Sequence, residues 1–73
     1  MYQVYGKDGC GFCTKAVEVL ESVGEKYVYL KLGTDYRRED LQEKTGQDSL
    51  TYPRIFLGEE LVGGYDELLD KLI

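Results

Sequence analysis

The first 32 residues read as a strand, a helix and a second strand, and this order restricts the fold more than any other feature of the sequence. Residues 1–5 form a short aromatic and β-branched run that ends at Gly6, which is typical of a strand. Between residues 13 and 23 apolar side chains recur every three or four positions, which predicts an amphipathic helix. Residues 27–32 then alternate as a strand does. Two strands joined by a helix pair in parallel, because the crossover returns the chain to the end of the sheet where it began.

The rest of the chain predicts a helix over residues 35–45, a hairpin and a last helix over residues 65–73. The two strands of the hairpin are expected over residues 55–57 and 61–62. The hairpin adds antiparallel strands to the parallel pair, and three helices suffice to cover both sheet faces. We therefore expect an α/β fold of order β-α-β-α-β-β-α, with a four-stranded mixed sheet and helices on both faces, in one domain spanning residues 1–73.

Composition narrows the classes of function that the chain can serve. Hydrophobic residues make up 42% and charged residues 32%, a balance typical of a globular protein. The net charge of −5 argues against a nucleic-acid partner, because such partners require a dense basic surface. No run is apolar enough for a membrane helix and no signal peptide opens the chain, so we expect a soluble cytoplasmic protein.

The two cysteines, Cys10 and Cys13, lie three positions apart at the mouth of the first predicted helix. A bridge across so short a loop restricts the unfolded chain little, so a purely stabilising role is a weak explanation. Half of a zinc site is a further alternative, but a structural zinc ion needs four ligands and the chain has no histidine. Burial as two small apolar side chains is the third. A redox-active dithiol explains the spacing best, with no metal site.

The expected helix start assigns a different role to each thiol. Cys10 would lie beside backbone N–H groups that have no partner within the helix, which favours its thiolate form. Lys7 adds a cation three residues earlier. Cys13 lies one turn further along, where it can attack a mixed disulfide formed at Cys10. Cys10 is therefore the expected nucleophile and Cys13 the resolving thiol.

Three separated motifs resemble those of the glutaredoxin family. Residues 5–13, Tyr-Gly-Lys-Asp-Gly-Cys-Gly-Phe-Cys, resemble its active-site segment, residues 51–56 resemble its cis-proline segment, and residues 63–66 resemble the glycine pair before its last helix. The resemblance covers essentially the whole chain. It implies a minimal thioredoxin fold and reduction of protein disulfides and glutathione mixed disulfides. It also implies glutathione as the reductant, with no permanently bound cofactor.

The resemblance also implies a glutathione site and partners. Lys7 and Arg38 match positions that contact the glycyl carboxylate, and Tyr52 matches the residue whose backbone pairs with the cysteinyl part. The other matched positions are Phe12, Thr51, the expected cis-proline Pro53, and Gly64, Tyr65 and Asp66 around the γ-glutamyl end. Disulfide-containing proteins are the implied partners. The family suggests ribonucleotide reductase among them, and a monomer is the default state.

Three residues depart from the family pattern. Gly11 stands where most dithiol members have proline, Tyr52 where valine is usual, and Glu67 where aspartate is common. The change at Gly11 leaves the reduction potential open.

Two other functions are compatible with the same motifs. Relatives with Cys-Gly-Phe-Ser bind an iron-sulfur cluster between two subunits, although here Cys13 replaces that serine. Thioredoxin-like electron donors share the fold but are recycled by a flavoprotein reductase and lack the glutathione groove. The segment at Gly64–Asp66, with Lys7 and Arg38, favours glutathione.

Overall fold

The computed structural model describes residues 1–73 and contains the seven expected elements in the expected order. They are β1 (Tyr2–Gly6), α1 (Gly11–Ser22), β2 (Tyr27–Lys31), α2 (Arg38–Thr45), β3 (Arg54–Leu57), β4 (Glu60–Gly63) and α3 (Tyr65–Leu72). The strands form one sheet in the order β2-β1-β3-β4. The predicted α/β fold is confirmed, and none of its helices is both long and apolar enough to cross a membrane.

Strand β1 lies inside the sheet and determines where the cysteines are placed. It pairs in parallel with β2, from Tyr2 opposite Tyr27 to Gly6 opposite Lys31, and antiparallel with β3. Both edges of β1 are therefore hydrogen-bonded along its length. The chain leaves the C-terminal end of this strand and reaches Cys10 within four residues, so the dithiol lies beside an interior strand that is paired on both edges.

Each face of the sheet has its own apolar core. Helices α1 and α3 cover one face, with a buried cluster made of Tyr2, Val4, Ala16, Leu20, Ile55 and Leu68. Helix α2 covers the other, where Tyr36, Leu41 and Phe56 are buried. The alternation in β2 follows this division, because its tyrosines pack on the first cluster and Leu30 on the second. Burial on both faces explains how 73 residues hold a four-stranded sheet.

The second helix starts later than the sequence pattern predicts. It begins at Arg38 rather than at residue 35. The Asp35 carboxylate accepts a hydrogen bond from the Lys31 backbone N–H (2.8 Å), which closes a turn instead of starting a helix. Tyr36 is 8% exposed and pairs with Leu32 in an isolated β-bridge. The burial of Tyr36 therefore keeps this segment extended, and the helix starts only after it.

Tyr36 also anchors the end of β1, where the loop to Cys10 starts. Its buried hydroxyl donates to the Gly6 carbonyl (2.8 Å), which also accepts from the Leu32 backbone N–H (2.9 Å). A Cβ atom on Gly6 would lie 2.7 Å from ring atoms of Tyr29, so a larger residue there would have to displace that ring. The backbone entering the active-site loop is thus held by side chains from two other segments.

We expect Tyr36→Phe to make the protein less stable at neutral pH and less sensitive to alkali. Loss of the hydrogen bond to Gly6 should cost about 1 kcal/mol. Burial, followed by the neighbouring Tyr52, raises the pKa of Tyr36 above its ordinary 10.0. Its contribution is therefore complete below pH 10 and is lost as the pH rises above 10, where the unfolded tyrosine ionises first.

Urea unfolding of wild type and Tyr36→Phe at pH 7 and pH 11 measures both effects. The difference in free energy of unfolding between the two pH values should be smaller in the variant, although Tyr5 and Tyr29, whose pKa values burial also raises, keep some alkaline sensitivity in both proteins. An identical pH dependence in the two proteins would contradict the assignment to Tyr36.

Candidate active site

Cys10 caps the N-terminus of α1, as the sequence predicts. Its backbone is extended, with φ −102° and ψ 104°, and its Sγ accepts a hydrogen bond from the Cys13 N–H (3.2 Å). The two cysteines are disulfide-bonded, with their Cα atoms 5.2 Å apart. The structure therefore places the pair in its oxidised form, with the Cys10 sulfur among the free N–H groups of the first helical turn.

The two sulfurs differ in their access to solvent. Cys13 is 1% exposed and belongs to the buried side of α1, whereas Cys10 is half-buried. A thiolate must reach its target along the axis of the bond it breaks, so only the accessible cysteine can meet a large substrate. Cys13 can attack only what is already attached to Cys10, and the division into nucleophile and resolving thiol stays a prediction.

Lys7 lies at one wall of the site. Its Nζ sits 5.0 Å from the centre of the Tyr52 ring, and its backbone carbonyl accepts from the Tyr29 hydroxyl (3.4 Å). The neighbouring Asp8 instead forms an ion pair with Lys31 (3.2 Å). Because Lys7 has no carboxylate partner among the ion pairs of the protein, its charge is available to a ligand.

A groove of about 200 Å³ runs beside the dithiol between the Thr51–Arg54 segment and the start of α3. We call it the cis-proline groove, because the peptide bond between Tyr52 and Pro53 is cis, as the resemblance implies. It is lined by Phe12, Thr51, Tyr52, Pro53, Gly64, Tyr65 and Asp66, which are all of the predicted glutathione contacts except Lys7 and Arg38. The fold thus brings three separated motifs together.

The end of the cis-proline groove at α3 is shaped by a short-range hydrogen bond. The Glu67 carboxylate accepts from the Gly64 N–H (2.7 Å), so this amide is already satisfied. The amides of residues 65–67 have no partner within the helix and remain donors at its positive end. Phe12 and Tyr65 close the groove on the cysteine side, with ring centres 5.7 Å apart.

Arg54 lines the groove, and the sequence interpretation missed it. Its guanidinium donates to the Thr51 hydroxyl (2.9 Å) and to the Gln47 side-chain oxygen (3.4 Å). Its Nε is buried and has no hydrogen-bond partner. The only signal in the sequence was its position directly after Pro53, because the folding of the Gln47 loop against β3 is not visible in a local pattern.

The structure does not bring Arg38 into the groove. Arg38 is the exposed first residue of α2 and lies outside the lining of the cavity. Gly11, the other notable position, has open space around the site of a Cβ atom, so this departure from the family pattern is not enforced by packing. No group of three or more histidine, cysteine or acidic side chains is placed to hold a metal ion.

Comparison with known proteins identifies a family for this chain. The glutaredoxin family model matches residues 3–62 of this chain. Glutaredoxin 1 of Escherichia coli is 30% identical over 70 residues, which cover 88% of this chain and 82% of the relative. The glutaredoxin of Ricinus communis is 33% identical over 72 residues, covering 93% of this chain and 69% of the relative.

Solved structures agree with the sequence matches. Reduced E. coli glutaredoxin superimposes with a TM-score of 0.84 at 27% identity, over 97% of this chain and 91% of that one. A buckwheat glutaredoxin in complex with glutathione gives a TM-score of 0.78 at 25% identity, over 97% of this chain and 66% of the buckwheat chain. The present chain therefore spans about two thirds of the buckwheat protein.

Proposed function

This chain belongs to the glutaredoxin family and is a thiol-disulfide oxidoreductase, and from that premise we propose that it reduces protein disulfides and glutathione mixed disulfides at the expense of glutathione. The observation that carries the proposal is the cis-proline groove of about 200 Å³ beside the Cys10–Cys13 pair. The buckwheat relative, which has the same fold, binds glutathione. Thioredoxin-like donors without a glutathione site would not need such a groove.

Reduction of a protein disulfide takes two exchanges at sulfur. The Cys10 thiolate attacks one sulfur of the substrate disulfide, forming a mixed disulfide and releasing the other sulfur as a thiolate that takes up a proton. The Cys13 thiolate then attacks the Cys10 sulfur and releases the second substrate thiolate, which is also protonated. The substrate gains two electrons and the enzyme is left with the Cys10–Cys13 disulfide, the form that the structure has.

Two glutathione molecules return the enzyme to its dithiol form. The thiolate of the first attacks the Cys10 sulfur, which frees the Cys13 thiol and leaves glutathione bound to Cys10 through a disulfide. The thiolate of the second attacks the sulfur of the bound glutathione, releasing glutathione disulfide and the Cys10 thiolate. Cys13, which stands where cluster-binding relatives have serine, supports this disulfide cycle over cluster carriage.

The charges and backbone groups of the site support glutathione as the occupant. The cysteinyl part would pair with the Tyr52 backbone as an added strand does. The γ-glutamyl end would meet the free amides of residues 65–67 together with Asp66, and the glycyl carboxylate would face Lys7. Arg38 lines neither the cis-proline groove nor the surface around Cys10, whereas the Lys7 Nζ lies 5.0 Å from the Tyr52 ring, so in this proposal Lys7 is the main cation for that carboxylate.

We also propose where this protein works, which proteins it reduces and that it acts as a monomer. A reductase recycled by glutathione works where the thiol pool keeps cysteines reduced, which favours the cytoplasm. Its substrates would be proteins with disulfides, ribonucleotide reductase among them. A monomer suffices, because one chain supplies both thiols and the whole groove.

A coupled assay tests the recycling system directly. Purified protein is mixed with a small glutathione mixed disulfide, glutathione, glutathione reductase and NADPH, and NADPH consumption is followed. A matched reaction replaces glutathione and its reductase with thioredoxin reductase. We expect turnover in the first reaction. Turnover only in the second would reject the glutathione proposal and identify a thioredoxin-like donor.

We expect Lys7→Gln to raise the KM for glutathione about fivefold, the effect of losing one exposed ion pair worth up to about 1 kcal/mol. The effect should shrink as salt is added, because exposed charges are screened. Lys26→Gln is the matched control, since Lys26 is exposed and belongs neither to the wall formed at Tyr52 nor to the lining of the cis-proline groove. Equal KM values for the two variants would remove Lys7 from the site.

A further inference from the structure

A second and larger groove also reaches the reactive cysteine. Its volume is about 770 Å³, and Cys10 belongs to its lining but not to that of the cis-proline groove. One wall is a face of α1 that carries Thr14, Val17, Glu18 and Glu21, and the other comprises Tyr29 and the loop from Lys7. We call it the helix-1 groove. The proposed glutathione site uses only the end of this groove that carries Lys7 and Cys10.

The helix-1 groove has an apolar base and an open, elongated shape along α1. Val17 and Tyr29 line it and are both half-buried, so part of each side chain remains free for contact. Its helical wall continues from Cys10 for nearly the whole length of α1, as far as Glu21. This shape suits a substrate peptide. The cysteine of the peptide would lie at Cys10, and the residues on one side of that cysteine would lie along the groove.

The charge of the groove selects the kind of chain. Asp8 is neutralised by Lys31, but Glu18 and Glu21 have no cationic partner among the ion pairs of the protein. Glu21 accepts a hydrogen bond from the neutral Tyr27 hydroxyl (2.8 Å), and this contact raises the pKa of that phenol. The far end of the groove is therefore negative, which attracts lysine or arginine and repels the two carboxylates of glutathione.

The distance between the sulfur and the carboxylates sets the spacing in a substrate. Glu18 and Glu21 follow Cys10 by eight and eleven positions, or about 12 and 16 Å along a helix that rises about 1.5 Å per residue. An extended chain covers about 3.3 Å per residue. Because neighbouring side chains of an extended chain point to opposite faces, one basic side chain, at the fourth or the fifth residue from a reacting cysteine, would lie over the two glutamates.

We propose that the helix-1 groove binds the protein part of a disulfide substrate, as an extended segment with a lysine or arginine four or five residues from the reacting cysteine. This inference rests on the proposed function. In a glutathionylated substrate, the glutathione half occupies the cis-proline groove and the peptide half the helix-1 groove. The Cys10 thiolate attacks the glutathione sulfur, and the peptide leaves as a thiolate that is protonated by solvent. A further glutathione then frees Cys10 as glutathione disulfide forms.

Three glutathionylated peptides of equal length test the preference. They carry two lysines, two alanines or two glutamates at the fourth and fifth positions from the cysteine, in one set on its N-terminal side and in another on its C-terminal side. One lysine of each pair faces the glutamates, so in at least one set we expect kcat/KM to fall about fivefold from lysine to alanine and again to glutamate, as one exposed ion pair worth up to about 1 kcal/mol would give. The differences in kcat/KM among the three peptides should become smaller as ionic strength rises, because salt screens exposed charges. Equal values for the three peptides in both sets would overturn the proposal.

Variants separate the groove from the overall charge of the protein. Glu18→Gln/Glu21→Gln keeps a hydrogen-bond acceptor for Tyr27 and should bring the lysine and alanine peptides to within about twofold of each other. Glu43→Gln/Glu59→Gln is the control, because it makes the same change in net charge at exposed positions outside both grooves and should keep the preference. A preference that persists in the first variant would overturn the proposal.

The small glutathione mixed disulfide separates failure of this inference from failure of the proposed function. Each kcat/KM for a peptide is divided by the value for the small substrate measured on the same protein. If wild type turns over the small substrate with glutathione but shows no peptide preference, only the docking inference fails. If wild type does not turn over the small substrate, the proposed function fails and the docking inference falls with it.

Discussion

Cys10→Ser should show no detectable turnover with any disulfide substrate. Cys10 is the half-buried sulfur at the N-terminus of α1, and every route through the cycle begins with attack by its thiolate. A serine hydroxyl at the same position ionises far too weakly near neutral pH to replace a thiolate, and no histidine is present to act as a base. The coupled glutathione assay, run with the small mixed disulfide and with a protein disulfide, measures the loss.

Cys13→Ser should separate the two classes of substrate. Removal of glutathione from a mixed disulfide needs only Cys10 and a second glutathione, so this activity should remain. Reduction of a protein disulfide should be strongly impaired, because nothing then resolves the mixed disulfide at Cys10 from within the protein. Cys13 is 1% exposed, which suits a sulfur that reacts only with its neighbour. If Cys10→Ser were active and Cys13→Ser inactive, Cys13 would be the nucleophile and Cys10 the resolving thiol.

Reduced wild type is the matched structural control for both cysteine variants. It also lacks the disulfide, so its thermal unfolding shows what loss of the bridge alone does to stability. A bridge across a loop this short contributes little through the unfolded chain, and the three proteins should unfold within a few degrees of each other. If a variant unfolds like the reduced wild type but is inactive, its loss of activity comes from the missing thiol and not from a loss of stability.

Leu20→Ala should lower the free energy of unfolding by about 3 kcal/mol, within the range of about 2–5 kcal/mol typical of buried leucines. Leu20 is fully buried on α1, in the cluster that packs this helix and α3 against the sheet. The free energy of unfolding of a small domain is only about 5–15 kcal/mol, so this loss is a large fraction of the total. Each kcal/mol corresponds to about 4–8 °C in the melting temperature at this size. Thermal and urea unfolding of the reduced protein measure the change.

Val23→Ala is the control for Leu20→Ala. Val23 caps the same helix at its C-terminal end and is 53% exposed, so its truncation should change stability by about 0.5 kcal/mol or less. Similar losses in the two variants would mean that α1 is not held to the sheet by this cluster. At low temperature, where Leu20→Ala is still folded, Cys10 should keep its place at the helix N-terminus, and activity should persist.

Much of the fold was visible in the sequence because its signals are local. The alternation over residues 27–32 and the helical spacing over residues 13–23 depend only on which neighbours share a face. The predicted start of α2 was wrong because it depends on a contact between residues far apart in the sequence. Tyr36 ends up 8% exposed beneath Gly6, a partner thirty positions away, and no local pattern records that contact.

The candidate site divides in the same way. The spacing of Cys10 and Cys13 is set by one turn of helix, so the sequence alone determined a dithiol at a helix start. The division between nucleophile and resolving thiol stays a prediction. The cis-proline groove was anticipated through resemblance. Arg54 and the helix-1 groove were not, because each is formed by segments far apart in the sequence that meet only when the sheet closes.

The sequence by itself therefore determined the order of the elements and the redox pair, since periodicity and capping act over a few residues. The tertiary structure decided which sulfur is accessible, which charges face the dithiol and which are already paired, because burial and ion pairing depend on long-range contacts. Lys31 neutralises Asp8 while Glu18 and Glu21 stay without a cation, and that difference exists only in the folded chain.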